Sequence, residues 1–304
     1  MAPTHQRPFT FFGLLAVMAG SLSMVAPARS ALAPPTVYLN HFFVVIDAKS
    51  YAAMLADPYL TATFAPFETR TTVRSDTTYT GAYWYGRKTY FEVFEPPSQG
   101  PAGASGMALG VEGGGESAAV KAAWTTSVGA VESGPVTRRT ETVEPTWFQM
   151  TAGEASAGLR LWLMEYDRGF LANWYPGLTK ARGITRAEVL DRYVAKVGKT
   201  KDRETAVLRN VTGLVLALDE GDRTLLGKHL LPVGWSSKPG ASAQDLVLTG
   251  PEGVILEVTQ ATAARRGIVE ARFSVQGRPQ PHSAILGSVL LTVEPAMARI
   301  RFVP

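Results

Sequence analysis

Leu39-Asn40-His41-Phe42-Phe43-Val44-Val45-Ile46-Asp47 is the stretch on which the reading of this chain turns. Its continuous apolar run is that of a buried strand, closed by an acid. Residues 48–55 then read as a short helix, which Asp57-Pro58 breaks. Residues 67–74, rich in Thr and Val, predict a second strand. The alternating aromatics of residues 79–85, the turn Gly86-Arg87-Lys88 and residues 89–95 predict two more. The order is strand, helix, strand, strand, strand.

Working outward, the same order returns. Residues 106–112 predict a strand ending on Glu112, and 116–124 a helix after a glycine-rich bend. Residues 136–143, 147–151 and 159–166 predict three strands, and the turn-rich stretch 96–105 separates the two units. The opening appears a third time as a strand at 211–219 ending on Asp219 and a helix at 221–231. A hairpin-like pair at 245–249 and 253–260 follows, with further strands at 268–275, 285–293 and 298–303. Between the second and third units, Thr185-Arg186-Ala187-Glu188 is a capping-box pattern. Leu190, Tyr193, Val194 and Val197 then share one helical face, and the polar run 198–204 marks a boundary. The expectation is an α+β protein of paired βαβββ modules forming cupped mixed sheets. It comprises a two-module region at 34–168, a helical bridge at 169–207 and a divergent copy at 208–304.

Residues 1–33 read as a cleavable export signal. His5 and Arg7 precede a stretch from Phe9 to Ala26 without charge, and Ala26-Pro27-Ala28 and Ala31-Leu32-Ala33 offer small residues at cleavage spacing. Gly13, Gly20, Ser21 and Ser23 dilute the run below what a spanning helix of roughly 20 apolar residues needs. The expected location is therefore periplasmic or secreted, with no membrane attachment after cleavage. The formal charge of +4 falls to +3 or +2 once Arg7, or Arg7 and Arg29, are removed, because residues 1–33 carry no acid. No basic stripe interleaves with aromatics, which argues against a nucleic-acid partner. The chain has no cysteine, so stability rests on packing, and 46% apolar residues suffice for a globular core.

Three glutamates stand inside otherwise apolar strands: Phe91-Glu92-Val93, Met164-Glu165-Tyr166 and Leu256-Glu257-Val258. Burying a lone carboxylate is costly, so each must face solvent, meet a cation or hold a metal. Of the histidines beyond the signal, His41 lies on the first strand, His229 on a helix and His282 in a Pro-rich loop, and the last two read as structural. Tyr79, Tyr83 and Tyr85 share a strand face able to stack a ligand or to pack a core. The glycine-rich bend at 110–115 lacks the Lys-Ser/Thr ending of a phosphate loop. Neither Gly-x-Ser-x-Gly nor His-Glu-x-x-His occurs.

The first two units resemble the paired βαβββ modules of the glyoxalase, bleomycin-resistance and extradiol-dioxygenase (vicinal oxygen chelate) superfamily. The chain is also similar to exported bacterial proteins of unknown function that open on an Asn-His-Phe strand. In the superfamily the histidine of the opening strand and the glutamate of the closing strand ligate a divalent metal. The resemblance implies His41, Glu92 and Glu165 as ligands, with Gly106 at the place of the fourth. In the third unit Gly213 replaces the histidine and Glu257 keeps the glutamate. A site of one imidazole and two carboxylates suits Mn, Fe, Zn or Mg, and implies no organic cofactor. Such a metal polarises oxygens of a small oxygen-rich substrate, with Glu92 or Glu165 as catalytic base. The rival expectation is a metal-free protein that sequesters a small molecule in the same cup, and the third a non-catalytic structural protein.

Overall fold

The computed structural model describes residues 35–139, 143–153, 156, 158–172, 183–242 and 245–303. The signal reading at 1–33 and part of the bridge lie outside them. Eight strands build a first sheet: β1 (Tyr38–Val45), β2 (Phe67–Val73), β3 (Thr78–Tyr85), β4 (Tyr90–Phe94), β5 (Ser105–Gly110), β6 (Glu132–Thr137), β7 (Thr146–Ala152) and β8 (Arg160–Tyr166). Eight more build a second: β9 (Leu208–Leu218), β10 (Ser236–Pro239), β11 (Leu246–Thr249), β12 (Ile255–Gln260), β13 (Gly267–Val275), β14 (His282–Leu286), β15 (Val289–Val293) and β16 (Met297–Phe302). The helices are α1 (Ala48–Ala56), α2 (Glu116–Val128), α3 (Arg168–Ala172), α4 (Arg186–Lys196), α5 (Thr200–Thr205) and α6 (Glu220–Leu230). None is long and apolar enough to cross a membrane among the described residues.

The first sheet runs β2-β3-β4-β1-β5-β8-β7-β6, and the second repeats it as β10-β11-β12-β9-β13-β16-β15-β14. Within each module of the first sheet the opening and closing strands are parallel, β1 with β4 and β5 with β8, because a helix carries the chain back before the next strand. The opening strands β1 and β5 pair antiparallel at the centre. This is the α+β paired-module architecture that the repeated pattern implies. The second sheet departs from it in one half. After β13 only residues 276–281 precede β14, with no helix, so β14 runs straight back and β16 meets β13 antiparallel. The sequence stretch 285–293 is accordingly two strands, turned at Gly287, whose φ of 68° is a left-handed conformation that glycine adopts without strain.

The two sheets share one core. Phe42 and Phe91 pack against Phe273 of β13, with ring centroids 6.4 and 5.4 Å apart. Trp84 stacks on Phe91 at 4.9 Å. The buried indoles of Trp84, Trp124 and Trp235 each donate to a backbone carbonyl, of Leu60, His229 and Val37 respectively. The tryptophans are thus large apolar bodies with their one polar atom satisfied. Because residues alternate along a strand, the partners of these core residues point to the other face of the first sheet. There α4 covers one end. Its capping box is formed, with Thr185 Oγ1 accepting from the Glu188 amide and the Glu188 carboxylate accepting from the Thr185 amide. Val189, Leu190, Tyr193 and Val194 bury against Tyr85, Tyr90, Trp147 and Tyr166. The bridging helix is therefore a plug for the first cup.

Candidate functional site

What remains of the first cup is a cavity of about 650 Å³. Phe43, Phe94, Trp147, Phe148, Met150 and Trp162 supply most of its apolar wall, with His41 and Glu92 on the same surface. A bulge between Leu39 and His41 sets β1 for this task. In a regular strand residues 39 and 41 would share a face. The extra residue, Asn40, lets Leu39 join the core with Phe42 while His41 and Phe43 face the cup. Asn40 then serves its neighbour: His41 Nδ1 donates to Asn40 Oδ1 at 3.0 Å. That fixes the tautomer and leaves Nε2 with its lone pair. The ring stacks on Tyr90 at 4.4 Å and meets the edge of Trp162 at 5.5 Å.

His41 Nε2 and Glu92 Oε1 lie 3.8 Å apart. That is too far for a hydrogen bond and near enough for one small group to touch both. The residues are 4% and 9% exposed, and burial decides their charge. Desolvation, helped by the charge of Arg70, lowers His41 from 6.5 to about 3. Desolvation raises Glu92 from 4.5 to about 7, against the pull of Arg70 and the Tyr90 hydroxyl. Both groups are therefore neutral in mildly acidic solution, one an acceptor at Nε2 and the other a carboxyl donor.

Arg70 is the residue that sequence reasoning overlooked. It sits on β2, where Nη1 donates to Glu68 Oε1 at 2.7 Å and to the Tyr85 hydroxyl at 2.9 Å. The guanidinium also stands 4.0 Å from the Tyr83 ring centre. Burial works against its charge, but Tyr85, Tyr83, Tyr193 and Glu68 hold it firmly protonated. The signal was present: an arginine in a Thr/Val strand beside a strand of alternating tyrosines. Tyr83 and Tyr85 are in this respect a cage for a resident cation, while Tyr79 lines the cavity.

Glu165 is not brought to this pair. Its carboxylate accepts from the Gly115 amide at 2.6 Å and the Ser117 amide at 2.9 Å, capping the N-terminus of α2. The register explains the separation. His41 pairs with Tyr90 and Phe43 with Glu92, while Gly106 pairs with Arg160 and Ala108 with Trp162. Trp162, not Glu165, thus occupies the place in the second module that Glu92 holds in the first. Gly106 matches His41, and a Cβ there would lie 2.3 Å from Phe43 Cε1 and 3.0 Å from Trp162 Cζ3. Aromatic rings fill the space where two further ligands would stand. Among the described residues no three His, Asp or Glu side chains gather as a metal site. A zinc-type centre draws on three or four protein ligands, and among the described residues the cup brings only His41 and Glu92 together, beside a fixed cation. Among the described residues the donor set does not fit a resident divalent metal.

The second sheet resolves its own glutamate differently. Gly213 and Glu257 hold the register places of His41 and Glu92. Arg272, on the neighbouring β13, binds both oxygens of Glu257 at 2.6 and 2.7 Å and Glu270 at 2.7 Å. Arg301 adds a contact to Glu270 at 2.8 Å. A bidentate arginine satisfies the carboxylate that the sequence left unexplained. His229 packs edge-on against Trp124, and His282 opens β14 stacked on Tyr59 at 3.9 Å.

A family model described as "Family of unknown function (DUF5829)" matches residues 39–302. The chain belongs to this family. No curated protein matches it. Among solved structures, this DUF5829 chain is similar to a xylose isomerase-like TIM barrel/4-hydroxyphenylpyruvate dioxygenase fusion protein, at 14% identity and a TM-score of 0.43. That match covers 80% of this chain and 37% of the fusion protein, so the chain spans little more than a third of its length. It is also similar to the 2,3-dioxygenase LapB from Pseudomonas sp. KL28, at 11% identity and a TM-score of 0.42, covering 87% of this chain and 90% of that one. A putative dioxygenase from Bacillus subtilis subsp. subtilis str. 168 matches at 11% identity and a TM-score of 0.29, covering 87% and 84%. Likeness at this level transfers no reaction to the chain.

Proposed function

We propose that this DUF5829 protein binds a small, flat, largely apolar molecule in the first cup and does so without a metal chelate. The observation that carries the reading is the aromatic cavity of about 650 Å³ in which His41 and Glu92 face one another as neutral groups. A cavity of this size and lining is typical of small-molecule sites, where a few polar groups orient an apolar guest. His41 Nε2 accepts and the Glu92 carboxyl donates, so a hydroxyl or amide placed across the 3.8 Å gap meets both. Glu165 has no part in this reading beyond capping α2.

The test is elemental analysis of the mature protein, purified without chelators, before and after incubation with Mn, Fe, Zn or Mg. Little bound metal, equal in the wild type, His41→Ala and Glu92→Ala, is the expected result. Stoichiometric metal that disappears in both variants would refute the chelate-free reading and restore the metal-dependent enzyme. A second reading, metal-free proton transfer, is favoured by one observation: a carboxyl brought to about 7 shares the cavity with a neutral imidazole. Under it, turnover is lost in both variants while ligand affinity changes little. Export through residues 1–33 belongs to the same proposal, and places the cup in a periplasm or outside the cell.

A further inference from the structure

The mouth of the cup carries a charge that the binding reading has not used. Strand register brings the ends of β1, β2, β4 and β7 and the starts of β3, β5, β6 and β8 to one end of the sheet, opposite the end that α4 plugs. Arg160, the first residue of β8, lines the cavity at that end, and its guanidinium carbon is 6.0 Å from the Phe43 ring centre. The buried Arg186 and Arg203 and the part-buried Arg272 each lie within 2.6–2.9 Å of a carboxylate. Arg160 is exposed, and among the described residues it is in no such pair. Arg74, at the end of β2, lines the same cavity. It binds Asp76 through Nη2 at 2.7 Å and leaves Nε buried without an acceptor. Among the described residues the carboxylates lining this space are Glu92 on the floor and the exposed Glu132 at the rim. Neither contacts Arg160, and Arg70 adds a fixed positive field from below.

We propose that the guest of the first cup is an aromatic anion of the carboxylate or sulfonate class, its ring among Phe43, Trp162 and Phe148 and its acidic group on Arg160 at the mouth. The inference rests on the cup being a binding pocket. A guanidinium offers paired donors to a planar anion and costs little to desolvate beside an aromatic face, so it selects charge while the cavity selects shape. Arg160 is then a specificity-determining residue.

The experiment uses two dyes with the same ring system. The mature chain is titrated with 8-anilinonaphthalene-1-sulfonate and with N-phenyl-1-naphthylamine, which lacks the sulfonate, and binding is read by fluorescence. The expected result is single-site binding of both. Arg160→Gln then weakens the sulfonate about tenfold, as loss of a charge-assisted contact does, and leaves the neutral dye within about twofold. Arg265→Gln, in the neighbouring cavity of about 760 Å³ whose lining also includes Arg160, changes neither. Ala152→Trp, which fills the first cup from β7, removes both dyes while circular dichroism stays that of the wild type. An Arg160→Gln variant that binds the sulfonate as well as the wild type overturns the anion, with the cup intact. So does sulfonate binding that survives Ala152→Trp. Failure of the wild type to take up either dye overturns the cup itself.

Discussion

Replacing Glu92 or His41 by glutamine should tilt the stability of the chain with pH in opposite directions. The folded chain keeps a proton on Glu92 up to about 7, whereas the unfolded chain releases it near 4.5. Between those values the folded state binds more protons, so stability is lost as pH rises through the window. His41 works the other way. The unfolded chain takes up a proton near 6.5 that the folded chain refuses down to about 3, so stability is lost as pH falls through that window. Each slope is about 1.4 kcal/mol per pH unit where only one state is protonated. The full penalties are about 3 kcal/mol for Glu92 at high pH and about 5 kcal/mol for His41 at low pH. Between pH 5 and 7 the two slopes nearly cancel in the wild type. Glu92→Gln leaves only the histidine, and its stability should climb by about 2 kcal/mol from pH 5 to 7. His41→Gln leaves only the carboxyl, and its stability should fall by about 2 kcal/mol over the same interval. Urea denaturation followed by tryptophan fluorescence at pH 5, 6 and 7 measures this, with a constant m-value as the check that the unfolded state is comparable. Other titrating groups are shared by all three proteins and drop out of the comparison. Three parallel profiles would refute the assignment of burial as the force that neutralises the pair.

Two further outcomes follow, one from the geometry of the cup and one from the sequence. Gly106→Ala should cost about 1–3 kcal/mol, because its Cβ meets the Phe43 ring at 2.3 Å, and Phe43→Ala should recover part of the loss in a double-mutant cycle; a Gly106→Ala chain as stable as the wild type would mean that the space is free. Export predicts that the intact mass of the secreted or periplasmic chain corresponds to a start at Arg29 or Pro34, and full-length protein retained in the cytoplasm would end that reading.

The module pattern was legible because each unit repeats a buried strand, an acid and a helix. Asp47 and Asp219 do cap α1 and α6, accepting from the Ser50 and Asp222 amides. His41 and Glu92 could be paired from sequence because they sit in the opening and closing strands of one module, which lie side by side. The place of Glu165 was not legible, since it depends on a single residue of register. In Leu161-Trp162-Leu163-Met164-Glu165-Tyr166 either alternate set could line the cup, and only the pairing of Ala108 with Trp162 decides. The strand directions of the last quarter were hidden for a related reason. Residues 268–303 contain the right number of strands, and nothing in their alternation records the direction in which each one runs. Arg70 escaped because its partners, Glu68, Tyr83, Tyr85 and Tyr193, come from three separate elements.

The two halves face one problem, a glutamate on the inner side of a closing strand, and solve it by different means. In the second sheet Arg272 closes on Glu257 and Glu270, and Arg301 adds a second cation to Glu270, so both carboxylates are paired. In the first sheet Arg70 is held by Glu68 and its tyrosine cage, so Glu92 has no arginine of its own and relieves its burial by keeping a proton. A neutral carboxyl and a neutral imidazole 3.8 Å apart still have a donor and an acceptor to spend. On the proposed binding reading, the first cup is the one whose polar atoms a guest completes. Its wall is aromatic where the second sheet carries an ion network, and α4 seals its far end. Selection for stability alone favours the arginine solution of the second half, since a paired carboxylate escapes the cost that Glu92 incurs above neutrality. Retaining the unpaired arrangement in a cavity large enough for a ligand is what a binding site requires.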